Sequence, residues 1–266
     1  MSLGSPLTPI ALANTLPPTR YSIYYEAARA GNISPDALYI WGIRMAGAIQ
    51  ETLGLTEVYL RHAMDAQLRC ARGAHGQWIA NYDRVAHLQS IRDSRGLPYF
   101  NERKLKEDVR RNRKGYAQSH ATSRRDINHD DLVAHSTFGA WTQLLPNRFD
   151  RNQTRNSSRD ALWEKSLSVA FPEPIRTISR RSNPGESIGE YARIAVHLRN
   201  RANHVDSLLN IEIAEAFQNY ITPLLSALGP EPVEIVNALD RVEGIWMERP
   251  CRINGPTYNL RAAIRY

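Results

Sequence analysis

An all-α fold is predicted by three features of this 266-residue sequence. Apolar residues recur at helical spacing over most of its length, helix start and stop signals bracket those stretches, and no strand-turn-strand pattern or fixed-period repeat interrupts them.

Ser34-Pro35-Asp36 is the clearest start, with Ser at the N-cap and Pro at the first helical position. From there to Arg72 most of the residues Leu38, Trp41, Ile43, Met45, Ile49, Leu53, Val58, Leu60 and Met64 fall on a helical stripe. This predicts one long helix, or two in line because Gly54 weakens the middle. Val85, Leu88 and Ile91 predict a helix over 81–94. Residues 101–125 predict a helical first half and a loop over 115–123. Leu132, Val133, Phe138, Trp141, Leu144 and Leu145 predict a helix over 130–145, stopped by Pro146. Residues 148–159 are polar and loop-like, 162–169 a short helix, and 175–181 another short element. Gly185-Glu-Ser187 opens a strong helix running past His204. Residues 211–228 follow with a kink or break at Pro223. A last helix spans 232–245, and the tail from Arg249 has no regular pattern.

The totals narrow the setting. No run of eighteen apolar residues exists, so no membrane span is expected. Residues 1–19 hold four prolines and do not read as a signal peptide. Cys70 and Cys251 stand alone, without CxxC spacing, so neither a disulfide framework nor a cysteine zinc site is expected, and a reducing cytoplasm is the simplest compartment. The net charge is +7 and the pI about 9.6, carried mostly by arginine, whose planar fork suits phosphate oxygens. Residues 101–125 carry nine Lys and Arg against three acidic residues, nearly the whole excess. Such a segment is either a solvated charged face or a clamp for RNA phosphates. The concentration of charge favours the clamp, with Arg110, Arg111, Arg113 and Lys114 as contacts and Tyr116 able to stack on a base.

The chemistry-bearing stretch is Arg199-Asn200-Arg201-Ala202-Asn203-His204. On a helical wheel Tyr191, Ile194, Ala195, Leu198, Ala202, Val205 and Leu209 form one apolar stripe, and Arg193, His197, Asn200, Arg201 and His204 gather opposite. Asn200 and His204 stack one turn apart, whereas Arg199 stands roughly 140° from His204. If both act on one phosphate, the helix must bend or end between them, or a second copy of the motif must complete the site.

Arg-Asn with a histidine four residues beyond the asparagine, as in Arg199, Asn200 and His204, resembles the signature of the HEPN superfamily, and the surrounding sequence resembles its Abi-like (abortive infection) branch. Three further stretches carry the resemblance in the right order. They are Glu57-Val-Tyr-Leu-Arg61 on the long early helix, Thr137-Phe-Gly-Ala-Trp141, and Trp163 followed by Ala170-Phe-Pro172. Val205 and Asp206 depart from the branch, which has His and Glu there. The resemblance covers roughly 34–245, leaving 1–33 as an N-terminal extension and 246–266 as a C-terminal tail. It implies a HEPN-type helical bundle with additional helices and a basic insertion.

The resemblance also implies an activity. Such proteins cut RNA without metal or other cofactor, using the ribose 2′-OH as nucleophile and leaving a cyclic phosphate. In that role His204 would transfer protons and Arg199 would stabilise the charge on the phosphorane, with Asn200 orienting His204 or the phosphate. Glu57 and Arg61 are either a simple helical ion pair or supports for the catalytic pair, Asp206 is a further support, and Arg201 an RNA contact. His197 reads as an ordinary helix-face residue. A single histidine per chain is a poor two-proton catalyst, which implies a homodimer. The expected role is a ribonuclease of phage defence or a toxin restrained by an antitoxin or non-coding RNA. The alternative is a non-catalytic protein that holds a regulatory or guide RNA.

Overall fold

The computed structural model describes residues 16–116, 126–173, 183–204, 208–251 and 257–265. Within them the fold is all-α. The described residues contain no strand, only an isolated bridge between Arg92 and Pro98.

Helix α1 spans Pro18–Gly31 and α2 spans Pro35–Cys70. Helix α2 is uninterrupted through Gly54 and is about 54 Å long. The side chain of Ser34 caps its start, as the sequence predicts. Residues 1–33 are expected to be an extension, yet α1 is part of the core: Tyr24 and Ala28 are buried, and Tyr24 packs edge-on against Tyr39 of α2. The basic stretch forms α3, Glu102–Tyr116. Two short helices follow, α4 (His129–Ala134) and α5 (Phe138–Thr142), and then α6 (Gln153–Lys165). Helix α7, Pro184–Asn203, carries the motif. A nearly continuous helical run comes next: α8 (Ile213–Ala216), a π-helical turn (Phe217–Ile221) and α9 (Thr222–Leu228). Helices α10 (Pro230–Leu239), α11 (Val242–Met247) and α12 (Leu260–Ala263) complete the chain.

Helix α2 is the spine, and α7, α1, α11, α10 and α9 all pack on it. A second apolar centre lies beyond its C-terminal half, where Trp78, Phe100 and Trp141 meet edge to face with centroids 4.7–5.5 Å apart. Several of its polar atoms pair internally. Asp65 accepts from Trp78 Nε1 at 2.7 Å and lies 2.9 Å from His129 Nε2, while Trp141 Nε1 donates to Ser136 at 2.7 Å.

Several expectations need correction. The helix expected to run past His204 ends at Asn203, and the tail expected to be irregular holds α12. Residues 81–94 form no α-helix. They run as turns with one 3₁₀ turn at Leu88–Ser90, and His87 adopts φ 72°. Val85, Leu88 and Ile91 are nonetheless fully buried; their spacing of three is shared by successive tight turns and by a helix. Residues 130–145 hold two helices, because Ser136 and Thr137 break the run and Thr137 caps the second. The polar stretch 148–159 becomes helical from Gln153, capped by Asn152 and held by an ionic cluster in place of an apolar stripe. In that cluster Asp150 pairs with Arg155 and with Arg159, which is 1% exposed and also donates to the Gln143 carbonyl at 2.6 Å. The expected last helix divides into α10 and α11 at Asp240 and Arg241. The expected break at Pro223 takes the form of the π turn just before it. A proline there has no N–H for the carbonyl of Asn219, and the wider turn moves that carbonyl away from its ring. The predicted loop 115–123 lies largely outside the described residues, and the element at 175–181 wholly so.

Candidate active site

Two glycines let helix α7 approach Trp163 of α6 and the chain at Pro146 closely. A Cβ on Gly185 would lie 2.8 Å from the Trp163 ring, and one on Gly189 only 2.2 Å from the Pro146 carbonyl oxygen. Arg193, one turn on, donates to that same carbonyl at 2.8 Å. The Trp163 and Phe171 rings stack 5.3 Å apart beside this contact. Two of the stretches that carry the resemblance, those at Trp163 and at 137–141, therefore pack on α7.

The third stretch meets the motif itself. Arg199 Nη2 lies 3.2 Å from Glu57 Oε2, across the interface between α7 and α2. The Glu57 side chain is 11% exposed and that of Arg199 is 32% exposed. Glu57 also accepts the backbone N–H of Phe138, the first residue of α5. Burial pushes the Glu57 carboxyl above its usual range, and the charges of Arg199 and Arg61 and the Phe138 N–H offset this only in part. Of the two readings open from sequence, this pairing is the cross-helix one. Arg61 turns instead to the C-terminal end of α4, donating to the carbonyls of Ala134 at 3.3 Å and Val133 at 3.5 Å, where a cation complements the helix dipole.

The helix does not break between Arg199 and His204. Residues 199–203 are helical, His204 is the C-cap with φ −83° and ψ 1°, and its N–H donates to the Asn200 carbonyl at 3.0 Å. The two side chains thus keep the separation of roughly 140° that an ideal helix gives. Asn200 and His204 are exposed. Asp206 lies outside the described residues.

The face of α7 that carries Asn200 and His204 is partly covered by the C-terminal tail. His197 Nε2 and Tyr258 Oη share a 2.9 Å hydrogen bond, the two rings stack 5° from parallel, and the Arg201 guanidinium sits 4.8 Å from the Tyr258 ring centre. Burial, and then the Arg201 charge, push the His197 imidazole down from its usual range. Arg201 is therefore a packed cation. Sequence reasoning missed Tyr258, because an isolated tyrosine in an irregular tail has no periodicity to reveal its partner. It also missed Gln50, whose side-chain amide donates to the Ala202 carbonyl at 3.0 Å and ties the end of α7 to α2.

The basic helix α3 divides its charges. Leu105 and Val109 are buried underneath. Arg103 pairs with Glu107, Lys106 with Glu102, and Arg111 with Asp108 at 3.7 Å. Arg113 joins Asp131 of α4 at 2.8 Å with its side chain 19% exposed, which commits it to holding α3 against α4. Arg110 and Lys114, one turn apart, are exposed, and no ion pair among the described residues engages either. The side chain of Tyr116, and Arg124 and Arg125, lie outside what is described.

Among the described residues no group of three His, Cys, Asp or Glu side chains is placed to hold a metal ion, and no helix is long and apolar enough to cross a membrane. Comparison of the chain with protein-family models, with curated proteins and with solved structures gives no match.

Proposed function

We propose that this chain is an endoribonuclease of the HEPN type that works without metal, with its reacting groups at the C-terminal end of α7. The observation that carries the proposal is the ion pair between Arg199 and the buried Glu57. A carboxylate taken out of water is costly, and here it faces the one arginine that the motif requires. The pairing holds the guanidinium at the mouth of the helix interface, still one-third exposed and able to reach a phosphate. In the reaction a base takes the proton of the ribose 2′-OH, whose oxygen attacks the adjacent phosphorus. The bond to the 5′-oxygen breaks, and that oxygen leaves with a proton. The products are a 2′,3′-cyclic phosphate and a 5′-hydroxyl. His204 carries protons, Arg199 stabilises the phosphorane, and exposed Asn200 orients one of them.

The unbroken helix favours a homodimer in this scheme, because one chain holds Arg199 and His204 on different sides of α7. A cytoplasmic role in phage defence, or as a toxin restrained by a protein or RNA partner, fits the free thiols of Cys70 and Cys251 and the basic charge.

The test is cleavage of mixed RNA in the presence of a chelator, with Arg199→Ala and His204→Ala alongside and end-group analysis of the products. Cyclic-phosphate ends that both substitutions abolish support the proposal. Tight binding without cleavage under any condition overturns it in favour of a non-catalytic RNA-binding protein. Full activity from a species that light scattering shows to be monomeric removes the dimer.

A further inference from the structure

Tyr258 does more than cover α7: it also lines a pocket of about 320 Å³ between the tail and the run from α8 to α9. Its other polar and aromatic walls are Glu212, Glu215, Tyr220, Asn259 and Arg261. The size is at the lower end of the range for small-ligand sites.

Three features give this pocket a chemistry. First, both tyrosine rings are braced from outside it. Tyr220 packs on Tyr191 of α7 with centroids 5.7 Å apart, and Tyr258 is held by His197 and Arg201. Braced rings are stacking platforms that lose little freedom when a flat ligand arrives. Tyr220 also belongs to the π-helical turn, a geometry frequent at functional sites. Second, two of the three charged side chains that line the pocket are carboxylates, although the chain carries +7. Arg261 pairs with Glu190, which Arg148 also engages, whereas Glu212 and Glu215 are exposed, Glu215 accepting from the Asn219 amide at 3.4 Å. Ionised carboxylates only accept hydrogen bonds, so these two favour a flat group rich in donors. Third, Tyr258, one wall of the pocket, is held on the motif's own face. His197 and Arg201, which hold Tyr258, fall within about 60° of His204 on the wheel, and His197 is about 10 Å from His204 along the axis.

We infer that this pocket is a base-recognition subsite that takes guanine from a single-stranded RNA, stacking it against Tyr220 or Tyr258 and reading its Watson–Crick edge with Glu215 or Glu212. Guanine alone among the four bases offers two adjacent donors, N1–H and the 2-amino group, which match the two oxygens of a carboxylate. Adenine and cytosine place a ring-nitrogen acceptor beside their amine, and uracil flanks its one N–H with two carbonyls. The inference rests on the ribonuclease reading for its place in function, but the pocket can be tested without cleavage.

Calorimetric titration of the full chain with guanosine, inosine and adenosine monophosphates is the direct test. Inosine differs from guanosine only in lacking the 2-amino group. Guanosine monophosphate should bind on the order of tenfold more tightly than either, the effect of one charge-assisted hydrogen bond. Glu215→Gln and Glu212→Gln, each checked for unchanged helicity, should remove that preference in at least one case. Short RNAs with guanine replaced by inosine at single positions should then be cut correspondingly more slowly near one position. Equal or absent binding of the three nucleotides overturns the subsite, whether or not RNA is cut. Selective guanosine binding with no RNA cleavage keeps the subsite and overturns the ribonuclease reading. Selective binding untouched by both Glu substitutions overturns the assignment of the carboxylates.

Discussion

Replacing Glu57 with glutamine removes the charge that faces Arg199 while keeping the length and shape of the side chain. Two terms decide the effect on stability. Losing a charge-assisted contact costs about 1.5–3 kcal/mol. Against it stands the desolvation of a buried carboxylate, whose raised protonation range shows that its partners do not fully compensate its burial. Glutamine can still accept the Phe138 N–H, and Arg199, one-third exposed, can turn toward water. The net change at neutral pH should therefore stay within about 1 kcal/mol. Activity should respond far more. A guanidinium freed to move by about 1 Å can lose up to about 10²-fold in rate, so a fall of roughly ten- to a hundredfold is expected for RNA cleavage. The sign of the pH dependence separates the two effects. Because burial raises the carboxyl's folded-state range, wild type loses stability as pH rises through the window above 4.5. Glu57→Gln, uncharged throughout, does not. Cleavage runs the opposite way: protonating Glu57 as pH falls through the same window releases Arg199, so the wild-type rate shows an acid limb that the variant lacks. Urea denaturation and cleavage rates across pH 4–8 measure both. A variant that cleaves at the wild-type rate, while Arg199→Ala is inactive, would refute the positioning role.

Further consequences can be checked on the same protein. Asp150 is held well below the usual carboxylate range despite its burial, by Arg155, the Asn152 N–H and Arg159, so its contribution is present above the ordinary aspartate value and is lost as pH falls below it. Asp150→Asn leaves the buried Arg159 without its counter-charge and should cost about 3 kcal/mol by urea denaturation at pH 7, with the difference shrinking in acid. Gly189→Ala drives a Cβ into a backbone oxygen and should destabilise by about 1–3 kcal/mol, seen as a lower denaturation midpoint. Replacing Arg110 and Lys114 together by alanine should weaken RNA binding evenly across sequences and lower the salt slope by about 1–2, whereas Arg113→Ala should mainly lower stability.

The spine helix was legible because its pattern is purely local: a Ser-Pro start and a stripe long enough to outweigh Gly54. Periodicity fails where it is shared or absent. Val85, Leu88 and Ile91 sit at a spacing that tight turns also satisfy, and the chain takes the turns because Asn81 hydrogen-bonds back to the carbonyls of Ala74 and Gln77. The part of helix α6 before residue 162 escaped notice because its start is organised by Asp150 and two arginines. At the candidate site the motif and its position on one helix are local facts, and so readable. The partners are not. Whether Glu57 reaches Arg61 or Arg199 depends on how two helices cross. Tyr258 meets His197 from 61 residues away, with no spacing rule to connect them.

If the end of α7 is the proposed active site, the charges around it argue that one copy of the motif would be incomplete. A helix C-terminus carries partial negative charge, which disfavours a phosphate by about 0.3–1 kcal/mol unless cations offset it. Of the two arginines at hand, Arg199 is compensated by Glu57, and Arg201 is spread over the Tyr258 ring. Gln50 occupies the Ala202 carbonyl but adds no charge. A phosphorane beside His204 therefore needs positive charge from outside its own helix. Arg110 and Lys114, like Lys104, are exposed cations of α3 with no ion pair among the described residues, and that helix packs on α4. The arginine of a second motif is the source that also supplies a second histidine. Rotation of one chain onto another exchanges the two faces of α7, so that Arg199 of each copy can meet His204 of the other. On the proposed ribonuclease reading dimerisation would be part of the catalytic mechanism, and diluting the protein below its dimer dissociation constant should abolish cleavage while leaving the helical fold intact.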